Sequence, residues 1–252
     1  MKMLVDGQLI EYSDEGKGRT VLLLHGWGAN GASFNDVAAE LSRKFRVIRL
    51  DFPGFGASPK PNDTWGVGEY AVFVESFIKK LGIDKLYAVI GHSFGGRVII
   101  KGISKNNFVP EKVVLIDTAG VKPADSSKRA AFQVIAKLGK GVTAMPGLKS
   151  LRPVLRKKLY KAAGSSDYLD AADMKRIFLN TIDEDLLGDV SSITQPTLLI
   201  WGERDMETPV ADAYKIMNEL PDGQLVVVPY AGHFVYLDDP LAVMKELEGF
   251  LG

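Results

Sequence analysis

The sequence has no cysteine, which excludes a disulfide framework, a thiolate metal site and a cysteine nucleophile together. Histidine is scarce, with three in 252 residues, and no cluster of His, Asp and Glu has the spacing of metal ligands. An excess of either charge is also missing, because 31 Lys and Arg balance 31 Asp and Glu. A chain with no net charge carries no electrostatic footprint for DNA, RNA or an anionic membrane. The locally basic stretch from Leu148 to Lys161 reads as a solvated helix face. No run reaches the ~18 apolar residues of a membrane span. The opening Met1-Lys2-Met3-Leu4-Val5-Asp6 meets an acidic residue before an apolar run of signal length forms. The expectation is a cytoplasmic protein with no stable membrane insertion. Internal repeats and low-complexity tracts are absent too, which argues against a solenoid or a tail.

What is present is a composition of ordinary globular type, 46% hydrophobic and 25% charged. A chain of 252 residues can build one large α/β domain with a sizeable core. Short Val-, Ile- and Leu-rich runs alternate with amphipathic stretches, the pattern of a mainly parallel sheet flanked by helices. The runs are Val21–Leu24, Phe45–Leu50, Leu86–Ile90, Val113–Ile116, Thr197–Trp201 and Leu225–Val228. Nearly continuous apolarity suits strands buried on both faces. Two weaker strands, near Met3–Asp6 and Gln8–Ser13, precede them across an Asp6-Gly7 turn signal. Helical spacing marks Ser33–Arg43, Gly68–Leu81, Phe94–Ser104, Pro209–Leu220 and Pro240–Phe250. From about Thr118 to Ser192 the strands stop and only helical pattern remains, so this segment reads as a helical cap inserted after the fourth buried run.

Chemistry is concentrated at strand ends. Gly91-His92-Ser93-Phe94-Gly95 lies between a buried strand and a helix, the G-x-S-x-G turn that presents a serine hydroxyl. Glycine is needed at both flanks because Cβ atoms there would collide with neighbouring backbone. A serine hydroxyl is a poor nucleophile near neutral pH, so an imidazole must take its proton and a carboxylate must orient that imidazole. His25 and His92 are explained by their own motifs, which leaves His233, after the last strand and the loop Pro229-Tyr230-Ala231-Gly232. Asp205, after the strand Thr197–Trp201, is the preferred acid; Glu203 in the same loop and Asp117 at the end of Val113–Ile116 compete with it. Amides for an oxyanion are those of Phe94, next to the serine, and Trp27, in the loop His25-Gly26-Trp27-Gly28. The glycine-rich Asp51-Phe52-Pro53-Gly54-Phe55-Gly56-Ala57-Ser58 lacks the Lys-Ser/Thr of a phosphate loop. Neither a nucleotide site nor a metal site is expected. The cap's Phe132, Ile135, Met145, Tyr160, Tyr168, Ile177 and Phe178 suit core packing better than a pocket lining over Ser93.

Taken together, the blocks His25–Gly28, Asp51–Ser58, Gly91–Gly96, Pro196–Asp205 and Gly232-His233, in this order, resemble the α/β-hydrolase family. The stretch Asp183–Leu187 leading into Thr194-Gln195-Pro196 is similar to that family's link from cap back to core. The resemblance implies an α/β-hydrolase core over residues 1–117 and 193–252, with a cap over 118–192. It also implies Ser93 as nucleophile, Asp205 as acid, His233 as base, and Trp27 and Phe94 as oxyanion amides, without a cofactor. Serine at the elbow argues against the branches that use aspartate there, the haloalkane dehalogenases and epoxide hydrolases. The Gly-Gly-Ser-Trp-Gly elbow of proline iminopeptidases is absent. The implied activity is hydrolysis of an ester of a small, largely apolar molecule. Two rivals stand beside it: a carbon-carbon bond hydrolase of ring-cleavage products, to whose acid subsite Arg97 could contribute, and a slow-turnover sensor of small ligands. An oligomer is possible, and the sequence does not specify one.

Overall fold

The computed structural model describes residues 1–122 and 174–252. Eight strands form one sheet: β1 (Lys2–Val5), β2 (Gln8–Gly16), β3 (Thr20–Leu24), β4 (Arg46–Leu50), β5 (Leu86–His92), β6 (Lys112–Ile116), β7 (Thr197–Gly202) and β8 (Gly223–Val228). Their spatial order is β1-β2-β4-β3-β5-β6-β7-β8. The β1–β2 and β2–β4 pairs are antiparallel, and every later pair is parallel. Asp6 and Gly7, both with positive φ (46° and 78°), make the tight turn between β1 and β2.

The central strands β3, β5 and β7 are buried at every position. Alternation divides their side chains between two cores. Leu22, Leu24, Val89, Leu199 and Trp201 face one side, while Val21, Leu23, Ala88, Ile90 and Ile200 face the other. The helices are α1 (Asn35–Leu41), α2 (Val67–Lys80), α3 (Phe94–Ser104), α4 (Lys175–Asp183), α5 (Leu187–Val190), α6 (Val210–Glu219), α7 (Val235–Asp238) and α8 (Pro240–Leu251). On the first side α2 contributes Tyr70, Phe73, Val74 and Phe77, and α3 contributes Val98, Ile99 and Ile100. On the second, α1 and α8 bring Val37, Leu41, Val243 and Leu247. Each such side chain stabilises the fold by about 1.5–3 kcal/mol through burial. Local signals set the helix starts. Glu69 accepts from the Gly66 amide at 2.7 Å to open α2, and Asp239 caps the Ala242 amide at 3.0 Å, with Pro240 opening α8.

The apolar run Leu225–Val228 predicts a strand buried on both faces, and here the structure differs. Only Val228 in β8 is buried, because β8 is the last strand of the sheet and has a neighbour on one side alone. In the described end of segment 118–192, α4 and α5 are helical. Phe132, Ile135, Met145, Tyr160, Tyr168 and the basic stretch 148–161 lie outside the described residues. Ile177 joins the core cluster, and the Phe178 ring lies 5.0 Å from that of Trp27. Among the described residues no helix is long and apolar enough to cross a membrane.

Close approach of α3 to the end of β3 makes a stability prediction. A Cβ on Gly95 would lie 2.0 Å from the Leu24 carbonyl oxygen, whereas one on Gly249, in α8, would meet nothing within 4 Å. Gly95→Ala is expected to lower stability by about 2–3 kcal/mol, and Gly249→Ala to raise it by up to about 1 kcal/mol. Urea titration of both variants beside the native protein reads the two signs.

Candidate active site

The carboxyl ends of β5, β6, β7 and β8 lie side by side and carry Ser93, Asp117, Asp205 and His233 in that order, at the edge where open α/β sheets bind ligands. Ser93 has φ 49° and ψ −107°, a conformation that persists only when the surroundings impose it. Its amide donates to Ile116 of β6 at 3.0 Å, and its carbonyl accepts from Gly96, Arg97 and Ala119 at 3.1, 3.3 and 3.2 Å. A Cβ on Gly91 would stand 2.7 Å from backbone atoms of Gly95 and Gly96. Both flanking glycines are therefore conditions of the turn.

Asp205 has no exposed side-chain surface. Its Oδ1 accepts from the Glu207 and Thr208 amides at 2.8 and 2.9 Å. Its Oδ2 accepts from the Thr208 hydroxyl at 2.6 Å and from His233 Nδ1 at 2.8 Å. Burial works against the carboxylate, but the hydrogen bond and charge of His233 and the Thr208 donors outweigh it and hold Asp205 below the ordinary value. For His233, burial likewise opposes the charged form. The hydrogen bond and charge of Asp205, with the charges of Glu207 and Asp117, outweigh it and raise the pKa above that of a free histidine. With Nδ1–H given to Asp205, the other nitrogen, Nε2, carries the lone pair; Glu207 Oε2 lies 3.4 Å from it. Among the described residues no hydrogen bond joins the Ser93 hydroxyl to His233, a contact that often tightens only when substrate is bound.

The other two histidines are held neutral. His25 donates from Nδ1 to the Gly26 carbonyl at 2.7 Å and accepts at Nε2 from the Phe52 amide at 3.0 Å; burial lowers its pKa to about 4. His92 donates from Nε2 to the His233 carbonyl at 2.8 Å, and burial, followed by the nearby His233, lowers it to about 3. The competing acids are otherwise engaged. Asp117 accepts from the Gly202 amide at 2.8 Å and the Val235 amide at 3.2 Å. Burial raises it to about 8 against those two bonds. Glu203 accepts from the Tyr230 amide at 2.9 Å.

Phe94 is the first residue of α3, where an amide has no carbonyl to bond within the helix. Neither its N–H nor that of Trp27 donates to the backbone among the described residues. The Trp27 ring packs on Phe55, Phe94 and Phe178 at centroid distances of 4.8, 5.4 and 5.0 Å, an aromatic wall beside the elbow. Arg97 is buried and gives Nη1 to the carbonyls of Thr181 and Glu184 at 2.9 and 2.8 Å. It fastens the end of α4 to the core. Among the described residues no group of three His, Asp or Glu could hold a metal ion.

A family model described as the alpha/beta hydrolase family matches residues 21–246. The chain belongs to the alpha/beta hydrolase family. It is 26% identical over 255 residues to a pimeloyl-[acyl-carrier protein] methyl ester esterase of Nitrosomonas europaea, covering 92% of this chain and 95% of that protein. It is also 26% identical over 246 residues to a 2-hydroxy-6-oxo-6-(2'-aminophenyl)hexa-2,4-dienoic acid hydrolase of Metapseudomonas resinovorans, covering 91% and 82%. In fold it matches a thermophilic esterase of Thermogutta terrifontis with a TM-score of 0.76 at 21% identity, covering 100% and 97% of the two chains.

In this alpha/beta hydrolase the structure brings Asp205 onto His233 and sets Ser93 two strands away along the same edge. Sequence reasoning passed over three contributors: Thr208, His92 as a donor to the base-bearing loop, and Glu207. Thr208 was legible as a hydroxyl three residues after an aspartate, a local turn pattern. His92 and Glu207 act across 141 and 26 residues of chain, and nothing local marks such pairs. One consequence can be read by NMR of labelled histidines. His233 is expected to titrate above the free-histidine value, while His25 and His92 stay neutral until about pH 4 and about pH 3. A second imidazole titrating, like His233, above the free-histidine value would contradict the assignment.

Proposed function

We propose that this protein is a serine hydrolase that cleaves the ester of a small, largely apolar molecule through an acyl-enzyme. The observation that carries the reading is the 2.8 Å contact between the buried Asp205 and His233 Nδ1, on the sheet edge that also bears a serine in a strained turn. Asp205 orients the imidazole and stabilises the imidazolium formed during reaction. His233 Nε2 takes the Ser93 proton as Oγ attacks the acyl carbon, then gives it to the departing alkoxide as the carbon–oxygen bond breaks. Water, deprotonated by the same nitrogen, attacks the acyl-enzyme and frees Ser93. The Trp27 and Phe94 amides hold the oxyanion, each worth about 3–4 kcal/mol in comparable sites. The aromatic wall of Trp27, Phe94 and Phe178 supplies apolar contact for the acyl group.

The relative from Metapseudomonas resinovorans, named as a dienoic acid hydrolase, favours carbon-carbon cleavage as a second reading. That substrate class needs a cation for its acid group. Arg97 is engaged by two main-chain carbonyls, and the carboxylates of Asp205 and Glu207 bear on His233. Both features favour the ester. A slow-turnover ligand sensor would share the same residues and differ in rate.

Hydrolysis of 4-nitrophenyl esters of increasing acyl length tests the reading. Ser93→Ala is expected to lower kcat by at least about 10³-fold, and Asp205→Asn by about 10⁴-fold. Undiminished activity in Ser93→Ala would overturn the mechanism. Cleavage of a ring-fission product without cleavage of any ester would favour the second reading.

A further inference from the structure

The imidazole of His233 lies between two carboxylates from one turn. Asp205 holds Nδ1, and Glu207, two residues on, places Oε2 3.4 Å from Nε2. The Glu207 amide is tied to Asp205 Oδ1 at 2.8 Å, so its backbone cannot drift from the base. Glu207 has no part in the proton relay described above, and its side chain is 40% exposed. Position gives it another use. During acyl transfer the departing oxygen receives its proton from Nε2 and must sit about 3 Å from that atom. A carboxylate at 3.4 Å from the same nitrogen borders the space the leaving group occupies.

A second, independent feature stands on the same imidazole. Phe234 follows His233 in the chain, its ring centroid is 5.4 Å from that of His233, and it is 39% exposed. A large apolar ring partly open to solvent and a carboxylate that adjoin one imidazole supply the two elements that recognise alkylammonium groups: a ring face attracts the cation and its methyls while a carboxylate supplies the countercharge. Glu207 Oε2 stands 3.4 Å from Nε2, so an anionic leaving group meets repulsion there.

We propose that Glu207 and Phe234 form a leaving-group subsite that selects alcohols bearing an alkylammonium group. The proposal rests on the serine-hydrolase reading. It assigns Glu207 a specificity role at the leaving-group side, next to the nitrogen that protonates the departing oxygen.

Three acetate esters sharing one acyl group test it: acetylcholine, its neutral carbon isostere 3,3-dimethylbutyl acetate, and the anionic 3-acetoxypropanoate. The readout is the ratio of kcat/KM values within each protein, so that loss of overall rate in a variant cancels. Native protein is expected to prefer the cationic ester to its isostere and the isostere to the anion. Glu207→Gln should lower the cation-to-isostere ratio about fivefold and relieve rejection of the anion. Phe234→Leu, which keeps apolar bulk and removes the ring face, should lower the same ratio about threefold and leave the anion's disadvantage in place. A ratio equal in native and Glu207→Gln proteins overturns the subsite while the esterase reading stands. Hydrolysis of none of the three esters, nor of any 4-nitrophenyl ester in the acyl series, overturns the esterase reading, and the subsite with it.

Discussion

A carboxylate with no access to water must be surrounded by donors or give up its charge. Asp205 meets that condition through two amides, a hydroxyl and an imidazole. Three of the four donors come from Glu207 and Thr208, so the turn after β7 is shaped around the acid it carries. The fourth comes from a loop 28 residues away, which ties the base to the same point. The Asp205 contact thus orients His233 and fixes the turn that brings Glu207 to the other face of the ring.

Asp117 supports this arrangement from the neighbouring strand. Its two oxygens accept from Gly202, at the end of the acid's strand, and from Val235, two residues past the base. Its carbonyl lies 3.1 Å from the Thr208 hydroxyl. One buried side chain therefore sets the spacing between the Asp205 loop and the His233 loop. His92 adds a bond from the elbow to the His233 carbonyl, so the segments that bear Ser93 and His233 are joined by a side chain bonded to main chain.

Close packing at the elbow places the opposite demand, the absence of atoms. Gly91 and Gly95 approach backbone at distances that no Cβ tolerates, and the strain in Ser93 is sustained by hydrogen bonds to β6 and the first turn of α3. Those bonds are long-range constraints on a short motif. The same G-x-S-x-G letters without a paired β6 beside them would not be held in this conformation.

The sequence by itself determined the class of fold, the order of strands and helices, and the candidates for the site. Each of these follows from local rules: apolar runs for buried strands, helical spacing for α2, α3, α6 and α8, and glycines where a turn forbids side chains. It also narrowed the acid to a few carboxylates at strand ends. Tertiary structure decided the rest. It chose Asp205 over Asp117 and Glu203 as the partner of His233 Nδ1, because which oxygen reaches an imidazole depends on strand pairing and loop path. It left β8 half-exposed at the sheet edge, committed Arg97 to two carbonyls across 84 and 87 residues, and set Glu207 against Nε2. Such facts are distances between segments remote in sequence. They arise only when the sheet has assembled, since composition and spacing carry no record of which surfaces will meet.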